Sequence, residues 1–375
     1  MPADMRRAER GWALGLMSGT SMDGVDAALL RTDGLEIRAF GPSHTLPYPE
    51  PLRSRLRSVL GGTGPLEEVG HDLTLAHADA VRALLERARI RPRDVDVVGF
   101  HGQTVLHEPK RGRTMQIGDG ALLASLVGID VVNDFRSADM AAGGEGAPLA
   151  PLFHATLARG LPGPLAVLNI GGVANVTWVG EPARGAEGPL LAFDTGPGNA
   201  LIDDWVWLRR GRRLDADGAL ARAGCVDEAV LAILLTDPYF RRRPPKSLDR
   251  NAFSLAPLAH LSDADGAATL AAFTARAARL ATEHFPRPVL RWLVGGGGRR
   301  NPALMAALAQ ALEVEVAPVE DVGWDGDALE AQAFAFLAVR SVRGLPLSLP
   351  GTTGVARPTT GGRLHKAQRR RRASA

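Results

Sequence analysis

Two short stretches, "MSGTSMDG" at residues 17–24 and "NIGGVANVT" at 169–177, crowd glycines, hydroxyls and amides between apolar flanks. Turns of this kind expose successive backbone N–H groups, which form concave anion sites without any lysine, and glycine lets phosphate oxygens approach closely. Each stretch alone also reads as a plain tight turn; the duplication favours a nucleotide's phosphate chain. The chain has three lysines, Lys110, Lys246 and Lys366, and none follows a glycine, so a Walker-type phosphate loop is excluded. No G-x-G-x-x-G opens a helix after the first strand either, which removes the dinucleotide-binding alternative. A third glycine loop, "VGGGGRRNP" at 294–302, suits a flat ligand such as an adenosine ring, or a close approach between neighbouring elements.

Other residues offer acid, base and anion-pairing chemistry. Asp194 in "FDTGPGN" stands at an expected strand end, before a loop shaped by Gly196, Pro197 and Gly198, where it can act as a general base or cap a turn. His101, Gln103 and Thr104 in "FHGQT" follow a buried strand and can position hydroxyl groups, or form a structural turn. Arg136 and Asp139 in "NDFRSAD" suit a carboxylate and an amide of a ligand, or a surface salt bridge with each other. Glu330 sits among alanines and phenylalanines of a helical stretch, where an acid is costly unless paired or facing a cleft.

The elements that must position these residues follow from periodicity. "WALGLMSG", "VDAALLRTDG" and "LEIRAFGPSHTLPY" read as three adjacent antiparallel strands. A helix follows with Leu73, Ala76, Ala80, Leu84 and Leu85 on one face, then a buried strand in "DVDVVGFHGQT". "TMQIGDGALLASLVGIDVVNDF" reads as strand or loop, helix and strand. From Pro164 a second series repeats this architecture: an apolar, glycine-turn, apolar hairpin, a strand ending at Asp194, an amphipathic helix in "AATLAAFTARAARLATEHF", and a strand, glycine loop and helix from Val289. Asn301 and Pro302 suit that helix start, and Gly344 lies beyond the end of a last helix. Two α/β domains are the expectation, 1–160 and 161–362, with the last segment free to return to the first.

Composition fits a soluble globular protein: 45% hydrophobic and 23% charged residues across 375, and no apolar run long enough for a bilayer. No signal peptide is read at the start, and the lone Cys225 agrees with a reducing compartment, so the cytoplasm is expected. Six of the positive charges fall within residues 363–375; without them the formal net charge of +3 becomes −3. The basic signal therefore belongs to a tail, expected to be disordered, and nucleic acid is not an expected partner.

In this order, "GLMSGTSMDGVD", "FHGQT", "NDFRSADMAAGGEGAPLAP", "LNIGGVANVT", "FDTGPGN", "PPKS", "GGGGRRNP" and "DALEAQAFAFLA" resemble the signature segments of the anhydro-N-acetylmuramic acid kinase family, from Leu14 to Gly354. That family is similar to actin, heat-shock chaperone ATPases and sugar kinases. The resemblance implies an α/β fold of two ribonuclease-H-like (actin-like ATPase) domains with a cleft between them. It implies ATP bound by Gly19, Thr20, Ser21, Met22, Asp23, Gly24, Val25 and Asp26, by Asn169, Gly171, Gly172 and Asn175, and by Gly295, Gly296, Gly297, Gly298 and Asn301. Mg2+ would accompany ATP, with Asp23 as its ligand. The sugar would meet His101, Gln103, Thr104, Arg136, Asp139, Gly196 and Asn199, with Asp194 as the base and Glu330 as a second carboxylate.

The implied reaction phosphorylates O6 of 1,6-anhydro-N-acetylmuramate while water opens the anhydro ring, in peptidoglycan recycling. An ordinary amino-sugar kinase and an ATP-dependent binding module are the alternatives; a chaperone's peptide-binding domain finds no residues to form it. Family members are similar in forming homodimers, and a small-molecule sugar is the expected partner, with no membrane. Two departures stand out. Ser18 occupies the position where many of the wider superfamily carry an acid, and "LDRNAF" follows "PPKS" where the family continues with Thr-Gly.

Overall fold

The strand β1 (Trp12–Met17) buries its four central residues, as a strand covered on both faces must. It belongs to a computed structural model that describes residues 11–19, 22–181 and 188–367. β2 (Gly24–Thr32) and β3 (Ile37–Pro47) continue from it as an antiparallel meander. β4 (Val95–Phe100) runs parallel to β1 on its other side. A separate hairpin, β5 (Gln103–Glu108) and β6 (Arg113–Ile117), then precedes β7 (Val131–Asn133), which is parallel to β4. The helix Leu66–Ala88 lies on this sheet with Leu73, Ala80, Leu84 and Leu85 buried, the face its spacing marks out.

On the opposite face lies the helix Leu329–Val342, and two glycines let it lie close. A Cβ on Gly15 would stand 1.7 Å from the Ala331 carbonyl oxygen, and one on Gly99 would stand 2.1 Å from that of Phe334. Glycine in β1 and β4, with alanine on the helix, therefore sets how deeply the helix seats.

The second unit repeats the plan. β8 (Leu165–Ile170) and β9 (Val173–Val179) form a hairpin, β10 (Leu190–Pro197) extends it antiparallel, and β11 (Arg291–Gly295) and β12 (Glu315–Pro318) add parallel strands on the other side of β8. The orders β7-β4-β1-β2-β3 and β12-β11-β8-β9-β10 are the same order in two sequences of different letters. This is the ribonuclease-H-like plan, twice. The helix Asp263–Ala281 supplies much of the second core and starts on Ser262, whose hydroxyl accepts the Asp265 N–H. The helix Pro302–Leu312 starts on Asn301 with Pro302 in its first turn, as read from the sequence.

Contacts divide the chain into residues up to Leu157 with 328–350 and 355 onward, and Ala158–Asp327 with Gly351–Gly354. One sequence expectation needs correction here. Arg363–His365 form a short strand, antiparallel to β7 at the edge of the first sheet, where a disordered tail was expected to begin. Lys366 then pairs with Asp130 at 2.9 Å, and the Ala367 N–H donates to the same carboxylate. An unpaired sheet edge gives even a basic segment backbone partners. The remaining tail, 368–375, lies outside the described residues.

Candidate active site

In the first unit the β1–β2 turn is held by side chains. Ser18, almost fully buried, donates its hydroxyl to Gln103 Oε1 at 2.6 Å and accepts from the Tyr48 hydroxyl at 2.9 Å. Gln103 Nε2 donates to the Gly19 carbonyl, and the Met22 N–H closes back on the same oxygen. Arg53, itself buried, donates to the Met22 carbonyl at 3.0 Å and to Asp23 Oδ1 at 3.0 Å. Gln103, expected beside sugar hydroxyls, thus spends its amide on the turn; β5 begins at this residue and points it there. Thr20 and Ser21 lie outside the described residues.

Several residues expected at the nucleotide have other duties. Met22 and Val25 place their side chains in the core. A Cβ on Gly24 would stand 2.4 Å from the Leu46 carbonyl oxygen, so this glycine admits β3. Asp26 accepts from Thr45 Oγ1 at 2.6 Å across the same pair of strands. Asp23 stands exposed at the end of the turn.

Beside the turn, His101 is buried on the face of Phe334, ring centroids 4.6 Å apart. Arg136 approaches His101 Nε2 at 2.9 Å, and His101 Nδ1 lies 2.8 Å from the Gly102 carbonyl. A guanidinium has no acceptor, so Nε2 must carry the lone pair and Nδ1 the proton. Burial, and then the Arg136 charge, hold this imidazole well below its ordinary pKa, and it is neutral. Arg136 also donates to the Gly146 carbonyl at 2.6 Å, and Asp139 Oδ2 accepts the Gly146 N–H at 2.7 Å. Asp139, expected at a ligand amide, is buried and holds this glycine loop instead, since its own helix faces it inward. Thr104 accepts from Gln116 within the β5–β6 hairpin. A cavity of about 390 Å³ opens at the carboxyl ends of β4 and β7, walled by His101, Gln116, Asn133, Asp134, Arg363 and His365. Glu330 is half-buried in the first turn of its helix.

In the second unit the corresponding turn is held by backbone. The carbonyls of Gly171 and Gly172 accept the N–H groups of Asn199, Gly198 and Ala200 at 2.7, 3.0 and 3.2 Å, and Asn199 Nδ2 donates to the Ile170 carbonyl. A Cβ on Gly198 would stand 2.2 Å from the Gly171 oxygen. The glycine loop after β11 lies on the same turn: Gly296, at φ +72°, abuts Asn169 Oδ1 and the Ile170 carbonyl, and Gly298 abuts the Ile170 side chain. Two of its four glycines are therefore required by the hairpin, the close approach that the sequence left open beside a flat ligand. Asn301 is spent on capping its helix, accepting from the N–H groups of Ala303 and Leu304. Gly196, expected at the sugar, gives room to Ala277, 2.7 Å from where its Cβ would be. At Gly171 and Gly297, by contrast, an added Cβ would meet nothing closer than 3.6 Å.

Strand register places Gly295, Asn169, Asn175 and Asp194 in one row across β11, β8, β9 and β10. Asp194 is 8% exposed. Its Oδ2 accepts the Leu248 N–H at 2.8 Å, its own N–H donates to the Lys246 carbonyl at 3.1 Å, and its carbonyl accepts the Tyr239 hydroxyl at 2.5 Å. A bulge at Thr195 then turns the strand away. β10 runs on to Pro197, so Asp194 lies at a bulge within the strand and not at the strand end expected from the sequence.

A family model described as anhydro-N-acetylmuramic acid kinase matches residues 11–367. The chain belongs to the anhydro-N-acetylmuramic acid kinase family. A curated relative of that name from Rhodospirillum rubrum is 58% identical over 365 residues, covering 96% of each chain. Another from Paramagnetospirillum magneticum is 58% identical and covers 94% of this chain and 99% of its own. Among solved structures, component A of the (R)-2-hydroxyglutaryl-CoA dehydratase of Acidaminococcus fermentans is 16% identical with a TM-score of 0.48, over 89% of this chain and 99% of that one.

For a member of the anhydro-N-acetylmuramic acid kinase family, the residues that sequence reasoning overlooked are Tyr48 and Arg53 at the first turn and Tyr239 and Leu248 around Asp194. Only Lys246 and its neighbours carried a signal, the "PPKS" stretch. The departure after Ser247 keeps the contact that matters here, because Leu248 supplies a backbone N–H that any residue but proline would supply.

Proposed function

We propose that this kinase opens the 1,6-anhydro bond of 1,6-anhydro-N-acetylmuramate with water while the γ-phosphoryl group of ATP passes to O6, and that Asp194 is its base. Water oxygen bonds to C1, the C1–O6 bond breaks, O6 takes the phosphoryl group, and N-acetylmuramate 6-phosphate and ADP leave. A glycosidase needs one carboxyl group for the leaving oxygen and another for water. Here phosphoryl capture of O6 replaces the first, so a single base suffices. The observation that carries the reading is Asp194 itself, fixed beside the bulge of β10 by its N–H, its carbonyl and Oδ2.

For ATP, the fit is best at the second turn. Gly171 and Gly297 leave the space a Cβ would fill, next to exposed backbone. Gly295 to Gly298 would supply the adenosine side. Mg2+ neutralises phosphate charge when bound with the nucleotide, and such sites need only one or two carboxylates. Asp23 supports this role by its exposure, although Arg53 already holds its Oδ1. His101, with Nε2 held by Arg136, orients that arginine for the lactyl carboxylate, and Glu330 serves as a second carboxylate toward the sugar.

We place the enzyme in the cytoplasm as a homodimer, on family resemblance; among the described residues no helix is long and apolar enough to cross a membrane. Running the reaction in ¹⁸O-labelled water tests the chemistry. Label at C1 of the phosphorylated product is the expected result, and a phosphorylated sugar with its anhydro ring intact contradicts it.

A further inference from the structure

We infer that Lys246 is a positioning residue for this reaction: its ammonium ties together the two ends of the segment Tyr239–Leu248, and that segment holds Asp194. The inference rests on the reading of Asp194 as the base. Lys246 is buried, and its Nζ donates to the carbonyls of Tyr239 at 3.3 Å and Phe240 at 3.4 Å. The same Nζ stands 4.6 Å from the Tyr239 ring centroid and 5.5 Å from that of Phe193, the residue before Asp194. A cation held by two carbonyls and two π faces in the interior is a costly arrangement unless it fixes something.

What it fixes is visible in the chain. The residues whose carbonyls it gathers include Tyr239, whose hydroxyl meets the Asp194 carbonyl. Its own carbonyl accepts the Asp194 N–H, and two residues later the Leu248 N–H reaches Asp194 Oδ2. Three atoms of the base are thus gripped by one segment, and Lys246 fastens that segment to itself. Burial, and then Arg242, bring the ammonium down to about 8, while Asp194 and Glu283 oppose the shift. His284, on the turn after the helix Asp263–Ala281, also faces it.

The experiment compares Lys246→Met, Lys246→Arg, Tyr239→Phe and Asp194→Asn in the full-length enzyme. Lys246→Met should lower kcat by on the order of 10²-fold, the usual consequence of a base displaced by about an ångström. KM for ATP should stay within about threefold. The acid limb of the kcat profile should move to higher pH as the carboxylate loses its neighbouring cation, and Lys246→Arg should return it. Should Lys246→Met not fold, Tyr239→Phe keeps the ring and removes only the hydroxyl; it should lower kcat by about tenfold in a folded enzyme whose Tm falls only by what one lost buried hydrogen bond costs. Wild-type kcat and an unmoved acid limb in Lys246→Met, or wild-type kcat in Tyr239→Phe, overturn the inference. If Asp194→Asn is inactive while both of those variants are normal, this inference alone fails; if Asp194→Asn is active, the base reading fails first and takes this one with it.

Discussion

The two glycine turns occupy the same place in the same strand order and are built from different materials. The β1–β2 turn is secured by Ser18, Gln103, Tyr48 and Arg53, four side chains from distant parts of the chain. The β8–β9 turn is secured mainly by carbonyls and N–H groups of glycines and their neighbours, with one side-chain bond, from Asn199 Nδ2 to the Ile170 carbonyl. Side-chain anchoring tolerates some variety in backbone but depends on each partner being satisfied. Backbone anchoring tolerates no Cβ, yet is indifferent to most side-chain chemistry.

The sharpest way to break this contrast is Gly198→Val. Its branched side chain would be driven against the Gly171 and Gly172 carbonyls, with an expected loss of about 3 kcal/mol and little remaining nucleotide affinity. Thermal melts and nucleotide titration check it; normal binding in a stable variant would show that the second turn does not depend on backbone contact.

Next in size is Gln103→Met, which keeps the length of the side chain and leaves the buried Ser18 hydroxyl without its acceptor. About 2 kcal/mol of stability should go, measured by urea unfolding.

The smallest effect at neutral pH, and the most discriminating, concerns His77. It lies under the first turn, ring centroids 6.3 Å from Tyr48 and 4.8 Å from Phe100, with Nε2 buried and unpartnered. Burial lowers its pKa from 6.5 to about 4. Between those values the unfolded chain binds the proton and the folded one does not, so stability rises with pH across that window and is lost as pH falls through it. His77 should account for about 2 kcal/mol of destabilisation between pH 7 and 5. His77→Phe should flatten the stability profile over that range; an unchanged slope would show that this histidine is not the group titrating.

Much of this was legible in the letters. Glycine spacing marks both turns, and apolar periodicity marks both sheets and their long helices; the strand carrying Asp194 is legible too, but it continues past a bulge to Pro197 where the sequence suggests its end. The β5–β6 hairpin was less visible, because its alternating residues are largely polar and it packs outside the main sheet. Direction was less visible still. Gln103 and Asp139 are the expected residue types near a ligand, but only the fold decides that one faces Ser18 and the other the Gly146 amide. The short strand Arg363–His365 depends on an open edge of β7, which no local pattern reveals. Likewise Leu248 meets Asp194 through its backbone N–H, on which residue identity leaves little trace, and the Tyr239 hydroxyl reaches the Asp194 carbonyl from 45 residues away, a pairing no local pattern reveals.

The central claim is that Asp194 takes the proton from the attacking water. Its most direct test is the turnover of Asp194→Asn, measured together with nucleotide affinity. The amide keeps the size and an acceptor for the Leu248 N–H but cannot accept that proton, so kcat should fall by on the order of 10² to 10⁴. ATP affinity should remain within about threefold, since neither turn is touched. Near-normal turnover accompanied by a lowered Tm would contradict the account and leave Asp194 as a structural cap.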